Sequence, residues 1–127
     1  MVTDRELYAR ALEMLPRSYA PFSKFRVGAA LLTKDGMIYT GCNVENSSFG
    51  ATICAERTAF VKAISEGESS FEAIAIVCQD GEAWPCGICR QFMREFCDGD
   101  FRIITGNDES SLRVYTMDEI LPEGFRL

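Results

Sequence analysis

Apolar and polar positions alternate along this chain with two different periods. Behind Thr3-Asp4-Arg5-Glu6, which has capping-box spacing, Leu7, Tyr8, Ala11, Leu12 and Leu15 recur every three or four residues. That spacing predicts a helix, and Pro16 should stop it. Arg17 to Lys24, with Pro21 and small polar residues, predicts a loop. Two apolar runs, Phe25 to Leu32 and Met37 to Val44, flank Lys34-Asp35-Gly36, a strong hairpin signal. Gly28 inside the first run points to close approach by another backbone or a ligand. A small, polar stretch from Glu45 to Thr52 then leads into a helix that starts near Cys54 and ends at Gly67.

Phe71 to Cys78 is too uniformly apolar for a half-exposed strand and predicts a buried central one. After a loop from Gln79 to Pro85 comes a helix over Cys86 to Cys97, then a strand at Phe101 to Thr105 and a short one over Ser111 to Tyr115. Thr116-Met117-Asp118-Glu119 repeats the capping box and opens a brief helix that Pro122 ends. This order predicts an α/β fold, a three-layer α/β/α sandwich with a mixed central sheet of about five strands. Its strand-helix-strand portion should be parallel. Repeats, linkers and low-complexity segments are absent, so residues 1–127 are expected to form one domain.

Composition narrows the function. The net charge of −6, from 19 acidic and 13 basic residues, has no basic footprint for a polynucleotide. No apolar run is long enough to span a bilayer, and the N-terminus lacks the pattern of a signal peptide, so a cytoplasmic protein is expected. There is no histidine, which removes the base from Ser-His and Cys-His nucleophilic pairs. Soft metal ligation falls to the six cysteines, which in the cytosol are more consistent with metal binding or catalysis than with disulfides.

Two cysteine stretches carry candidate chemistry. Cys54-Ala55-Glu56-Arg57 and Pro85-Cys86-Gly87-Ile88-Cys89-Arg90 both fall at loop-to-helix junctions, where helix amides favour thiolates. Three thiolates with an open fourth position make a catalytic zinc site. Glu56, two residues past Cys54, is too close for comfortable chelation but suited to proton transfer. Three thiolates leave a surplus negative charge, which Arg57 or Arg90 would offset. Two rivals stand beside this reading. Trp84-Pro85-Cys86-Gly87-Ile88-Cys89 has the form of a thiol-disulfide oxidoreductase site, and Cys78 or Cys97 as a fourth ligand would close a purely structural zinc site.

The paired motifs resemble the zinc deaminase signature in its all-cysteine form. Phe25-Arg26-Val27-Gly28-Ala29-Ala30 and Asn43-Val44-Glu45-Asn46 are similar to segments of the small homotetrameric cytidine deaminases, and the likeness spans nearly the whole chain. It implies one Zn²⁺ per subunit on Cys54, Cys86 and Cys89, with Glu56 shuttling protons as free cytidine or 2′-deoxycytidine is deaminated in pyrimidine salvage. It further implies substrate contacts from Phe25, Asn43, Val44, Glu45 and Ala55, and a homotetramer in which Phe125 reaches a neighbouring site. Within the superfamily a blasticidin-type or polynucleotide-editing enzyme is the alternative. Trp84 and Ser47-Ser48-Phe49 depart from the family pattern at the expected rim of the site, and Cys42, Cys78 and Cys97 match no ligand position.

Overall fold

In the computed structural model, which describes residues 1–127, five strands form one sheet in the order β2-β1-β3-β4-β5. The elements are α1 (Asp4–Leu12), β1 (Val27–Thr33), β2 (Ile38–Cys42), α2 (Ala55–Ser65), β3 (Phe71–Cys78), α3 (Gly87–Phe96), β4 (Arg102–Gly106), β5 (Leu112–Thr116) and α4 (Met117–Ile120). β3 and β4 are parallel, and every other neighbouring pair is antiparallel. The sheet is therefore mixed, as the element order predicts.

Helices cover both faces because the central strands are apolar on both. α1 packs Leu7, Tyr8 and Ala11 against Ala30, Leu32, Ala73, Ala75, Val77 and Ile104. On the opposite face α2 and α3 pack Ala59, Phe60, Ala63 and Met93 against Leu31, Ile74, Ile76 and Ile103. Phe60 centres this second layer, its ring 5.1 Å from that of Phe71 in an edge-on arrangement worth about 0.5–1.5 kcal/mol beyond burial.

Two glycines set how closely the layers approach. A Cβ on Gly28 would lie 2.2 Å from the Ala11 carbonyl oxygen, so α1 sits directly on β1. One on Gly41 would lie 2.6 Å from both the Ala55 oxygen and the Ala59 nitrogen, so the start of α2 rests on β2. That second contact fixes where the first cysteine motif stands.

Some boundaries differ from expectation. α1 ends at Leu12, and Pro16 does not stop it but sits inside a separate 3₁₀ turn, Leu15–Arg17, where its missing amide costs nothing. Phe25 and Arg26 fall outside β1, because the Arg26 amide donates to the Gln79 side chain rather than to a ladder. The polar stretch before α2 contains a 3₁₀ turn at Phe49–Ala51. No helix is long and apolar enough to cross a membrane.

Candidate active site

Cys54 and Cys86 are the N-cap residues of α2 and α3, and neither side chain caps its own helix. Their thiols are thus free to turn toward each other. The Sγ atoms of Cys54 and Cys86 are 3.9 Å apart, and those of Cys54, Cys86 and Cys89 all lie within 4.8 Å of one another. Tetrahedral Zn–S bonds of about 2.3 Å place two sulfurs roughly 3.8 Å apart, so the cluster fits zinc. Neither Cys78 nor Cys97 joins it. Cys78 instead donates to the Asp80 and Gly81 carbonyls, and burial pushes the Cys97 thiol up to about 12. The fourth ligand that a structural site requires is therefore missing, and all six cysteines are free.

The three thiols are not equivalent. Hydrogen bonding from Cys89, and then the Arg57 guanidinium, pulls Cys54 down to about 5 against the opposing effect of burial. Cys89 moves the other way, raised by its bond to Cys54 and by burial. The lowering at Cys54 thus comes from its side-chain neighbours rather than from the start of α2, and Cys89 runs against the expectation that helix ends favour the thiolate. Without a cation, close sulfurs compete for a single negative charge.

Arg57 Nη2 donates to Cys54 Sγ and to the Thr52 carbonyl, each at 3.4 Å. Arg90 points elsewhere, its guanidinium donating to the carbonyls of Pro85 and Ile120 and holding the loop before α3. Of the two arginines, only Arg57 is placed to offset thiolate charge. Glu56 is 4% exposed in the first turn of α2, and burial pushes its carboxyl up to about 7, with the Cys54 thiolate adding to the rise.

A cavity of about 300 Å³ opens beside these groups, lined by Cys54, Ala55, Glu56 and Cys86. Phe25, Val27, Asn43, Ser23 and Thr52 line it too. Asn43 Oδ1 accepts from the Val27 amide and the Ser18 hydroxyl while Nδ2 donates to the Phe25 carbonyl. One amide hydrogen is left for a ligand.

Glu45 lies outside the lining. It is buried, with its carboxylate accepting from the Phe22 and Ser23 amides and the Ser23 hydroxyl. Val44 is half-exposed in bridges to Tyr19 and Ile53, also outside the lining. Phe125, in the C-terminal tail, is 62% exposed, and its carbonyl accepts from Gln91. It too stands outside this cavity.

The lining includes residues that sequence reasoning does not assign, among them Ile53, Ile76, Glu82 and Ala83. These come from a strand face and an irregular loop, where no periodic signal marks a binding residue. Trp84, expected only at the rim, belongs to the wall.

Residues 1–105 match the sequence model for the cytidine and deoxycytidylate deaminase zinc-binding region. The chain is 46% identical over 121 residues to a cytidine deaminase of Sporosarcina psychrophila, a match covering 94% of this chain and 89% of that one. It is 44% identical over 124 residues to a cytidine deaminase of Halalkalibacterium halodurans, covering 96% and 94%. Among solved structures, a cytidine deaminase from Burkholderia pseudomallei superposes with a TM-score of 0.92 at 41% identity, covering 98% of this chain and all of the other.

Proposed function

The chain belongs to the cytidine and deoxycytidylate deaminase family, and on that premise we propose that it hydrolyses free cytidine to uridine and ammonia, with 2′-deoxycytidine as a second substrate. The observation that carries the reading is that Cys54 and Cys86, two of three clustered sulfurs, and the buried Glu56 line one cavity with Asn43 and Phe25.

In this reading Cys54, Cys86 and Cys89 hold the metal. Zinc, when bound, supplies Lewis-acid activation of the attacking water. Glu56 takes a proton from that water and delivers it to N3 of the pyrimidine as the new C4–O bond forms. It then carries the remaining hydroxyl proton to the exocyclic amine, the C4–N bond breaks, and ammonia leaves. The product keeps the N3 proton and the C4 oxygen, so cytidine plus water balances uridine plus ammonia. A carboxyl near 7 is suited to both transfers at neutral pH. Arg57 holds Cys54 and disperses its charge.

Binding follows from unused hydrogen-bonding capacity. The free Asn43 amide hydrogen donates to a sugar hydroxyl, and the one unfilled lone-pair position on Glu45 Oε2 accepts from another. Phe25 and Ala55 face the nucleoside, and Val44 positions its neighbours. Phe125, in a homotetramer, covers the site of an adjacent subunit. Its exposure supports that role, as does the exposed aromatic surface of Phe22 and Phe49. A cytoplasmic setting keeps the metal-binding thiols reduced.

The test is direct. Zinc-loaded protein is mixed with cytidine, or with 2′-deoxycytidine, and the ultraviolet absorbance is followed together with ammonia release. Both nucleosides are expected to convert; cytidine left intact would overturn the assignment.

A further inference from the structure

The cavity has two unlike ends. Ser23, Asn43 and Thr52 make one of them polar, beside the start of β1 and the end of β2. The opposite end is built from Ile76 on β3 and from Glu82, Ala83 and Trp84 in the connection to α3, with Glu82 Oε2 turned to Arg113 on β5. We propose that Trp84 is a specificity-determining residue whose indole closes the cavity against the C5 edge of the pyrimidine, so that bases without a C5 substituent are preferred. The proposal rests on the cytidine reading.

The orientation follows from the base itself. Its sugar is attached at N1, across the ring from C4. With C4 beside Cys54 and Cys86 and the sugar toward Asn43, the ring can present N3 to Glu56 in only one way. The C5 edge then faces away from Glu56. It is also the edge without a hydrogen-bonding group, and Ile76, Ala83 and Trp84 offer it apolar surface beside the Glu82 carboxylate that pairs with Arg113.

That wall is braced, which is what converts contact into discrimination. The Trp84 ring lies 4.7 Å from the ring of Tyr115 on β5, and the Arg113 guanidinium is 5.4 Å from the centre of the same tyrosine. Arg113 also pairs with Glu82 at 3.5 Å. The Thr105 hydroxyl donates to the Ala83 carbonyl at 2.7 Å, and Arg90 Nε to the Pro85 carbonyl at 2.8 Å. Residues on both sides of Trp84 are thereby tied to the sheet and to α3. Among the lining residues only Phe25 and Trp84 are aromatic, and Phe25 belongs to the other end.

The experiment compares kcat/KM for cytidine and 5-methylcytidine in the zinc-loaded wild type, Trp84→Ala and Trp84→Phe, with melting temperature and zinc content recorded for each. The wild type is expected to favour cytidine. Trp84→Ala should raise the 5-methylcytidine to cytidine ratio about tenfold, the scale on which one methyl group is discriminated in an apolar pocket, with Trp84→Phe in between. If Trp84→Ala fails to fold, the phenylalanine variant carries the test through the same ratio. An unchanged ratio, or equal losses for both substrates, would overturn the proposal. Wild-type turnover of cytidine separates this failure from failure of the underlying assignment.

Discussion

A thiol at about 5 next to an arginine is an unusual group, and it makes Cys54 and Arg57 the sharpest residue-scale test outside the substrate. In metal-free protein, alkylation of Cys54 should rise with pH through about 5, far below an ordinary thiol. Arg57→Ala should move that transition upward and lower kcat/KM while zinc content holds, since Arg57 donates to Cys54 Sγ but offers no metal-binding atom of its own. A variant with unchanged kinetics and an unchanged alkylation profile would remove Arg57 from the site. Much at this scale is legible in the sequence. Cys54, Glu56, Cys86 and Cys89 sit in two motifs at two helix starts, where three of them bring their sulfurs within 4.8 Å of one another, and the absence of histidine narrows the alternatives. Glu82 and Trp84 are not legible as lining, because their place depends on how the connection after β3 folds back across the sheet, and Ile76 is not because it reads as one more buried residue of a central strand. The role of Arg90 is hidden for a similar reason, since its partners, Pro85 and Ile120, are brought together only by packing.

Between residue and fold stand the elements that aim the site. Gly28 signals a close approach in the sequence, but only the structure identifies α1 as the neighbour. Gly28→Ala forces the Ala11 carbonyl to move and should destabilise the protein by about 1–3 kcal/mol, read as a lowered Tm. An unchanged Tm would mean that α1 is not seated there. The loop around Phe25 depends on Glu45. The Ser23 hydroxyl, with the amides of Phe22 and Ser23 and nearby Lys24, holds the Glu45 carboxyl below the ordinary carboxylate range. A depressed carboxyl adds stability above its unfolded pKa of about 4.3, and that stability is lost as pH falls through the folded value. Proteolysis within residues 21–25 should therefore accelerate at acid pH, and at neutral pH in Glu45→Ala; equal cleavage rates would contradict this role. The sequence suggests Glu45 as a substrate contact, and its loop-holding role is hidden because a carboxylate's partners are invisible without the turn that supplies them.

On the scale of the whole molecule, the sheet joins two helix starts far apart in sequence so that their cysteines meet at one cavity. The three-layer architecture is legible because the apolar runs, the Asp-Gly turn and the capping boxes agree with one another; the layer contacts through Gly28 and Gly41 are not. If subunits complete one another, sedimentation should report a tetramer, and Phe125→Ala should raise KM for cytidine without dissociating it. Monomeric protein with full activity would remove Phe125 from the site. In the proposed mechanism Glu56 moves protons beside a metal held by the three cysteines. The most direct measurement of this role is the rate of uridine formation from cytidine by wild type and Glu56→Gln, with zinc assayed in both. The expected result is one zinc per chain in each and a rate lower by about 10²–10⁴-fold in the variant. A zinc-loaded Glu56→Gln protein that turns over cytidine at close to the wild-type rate would contradict it.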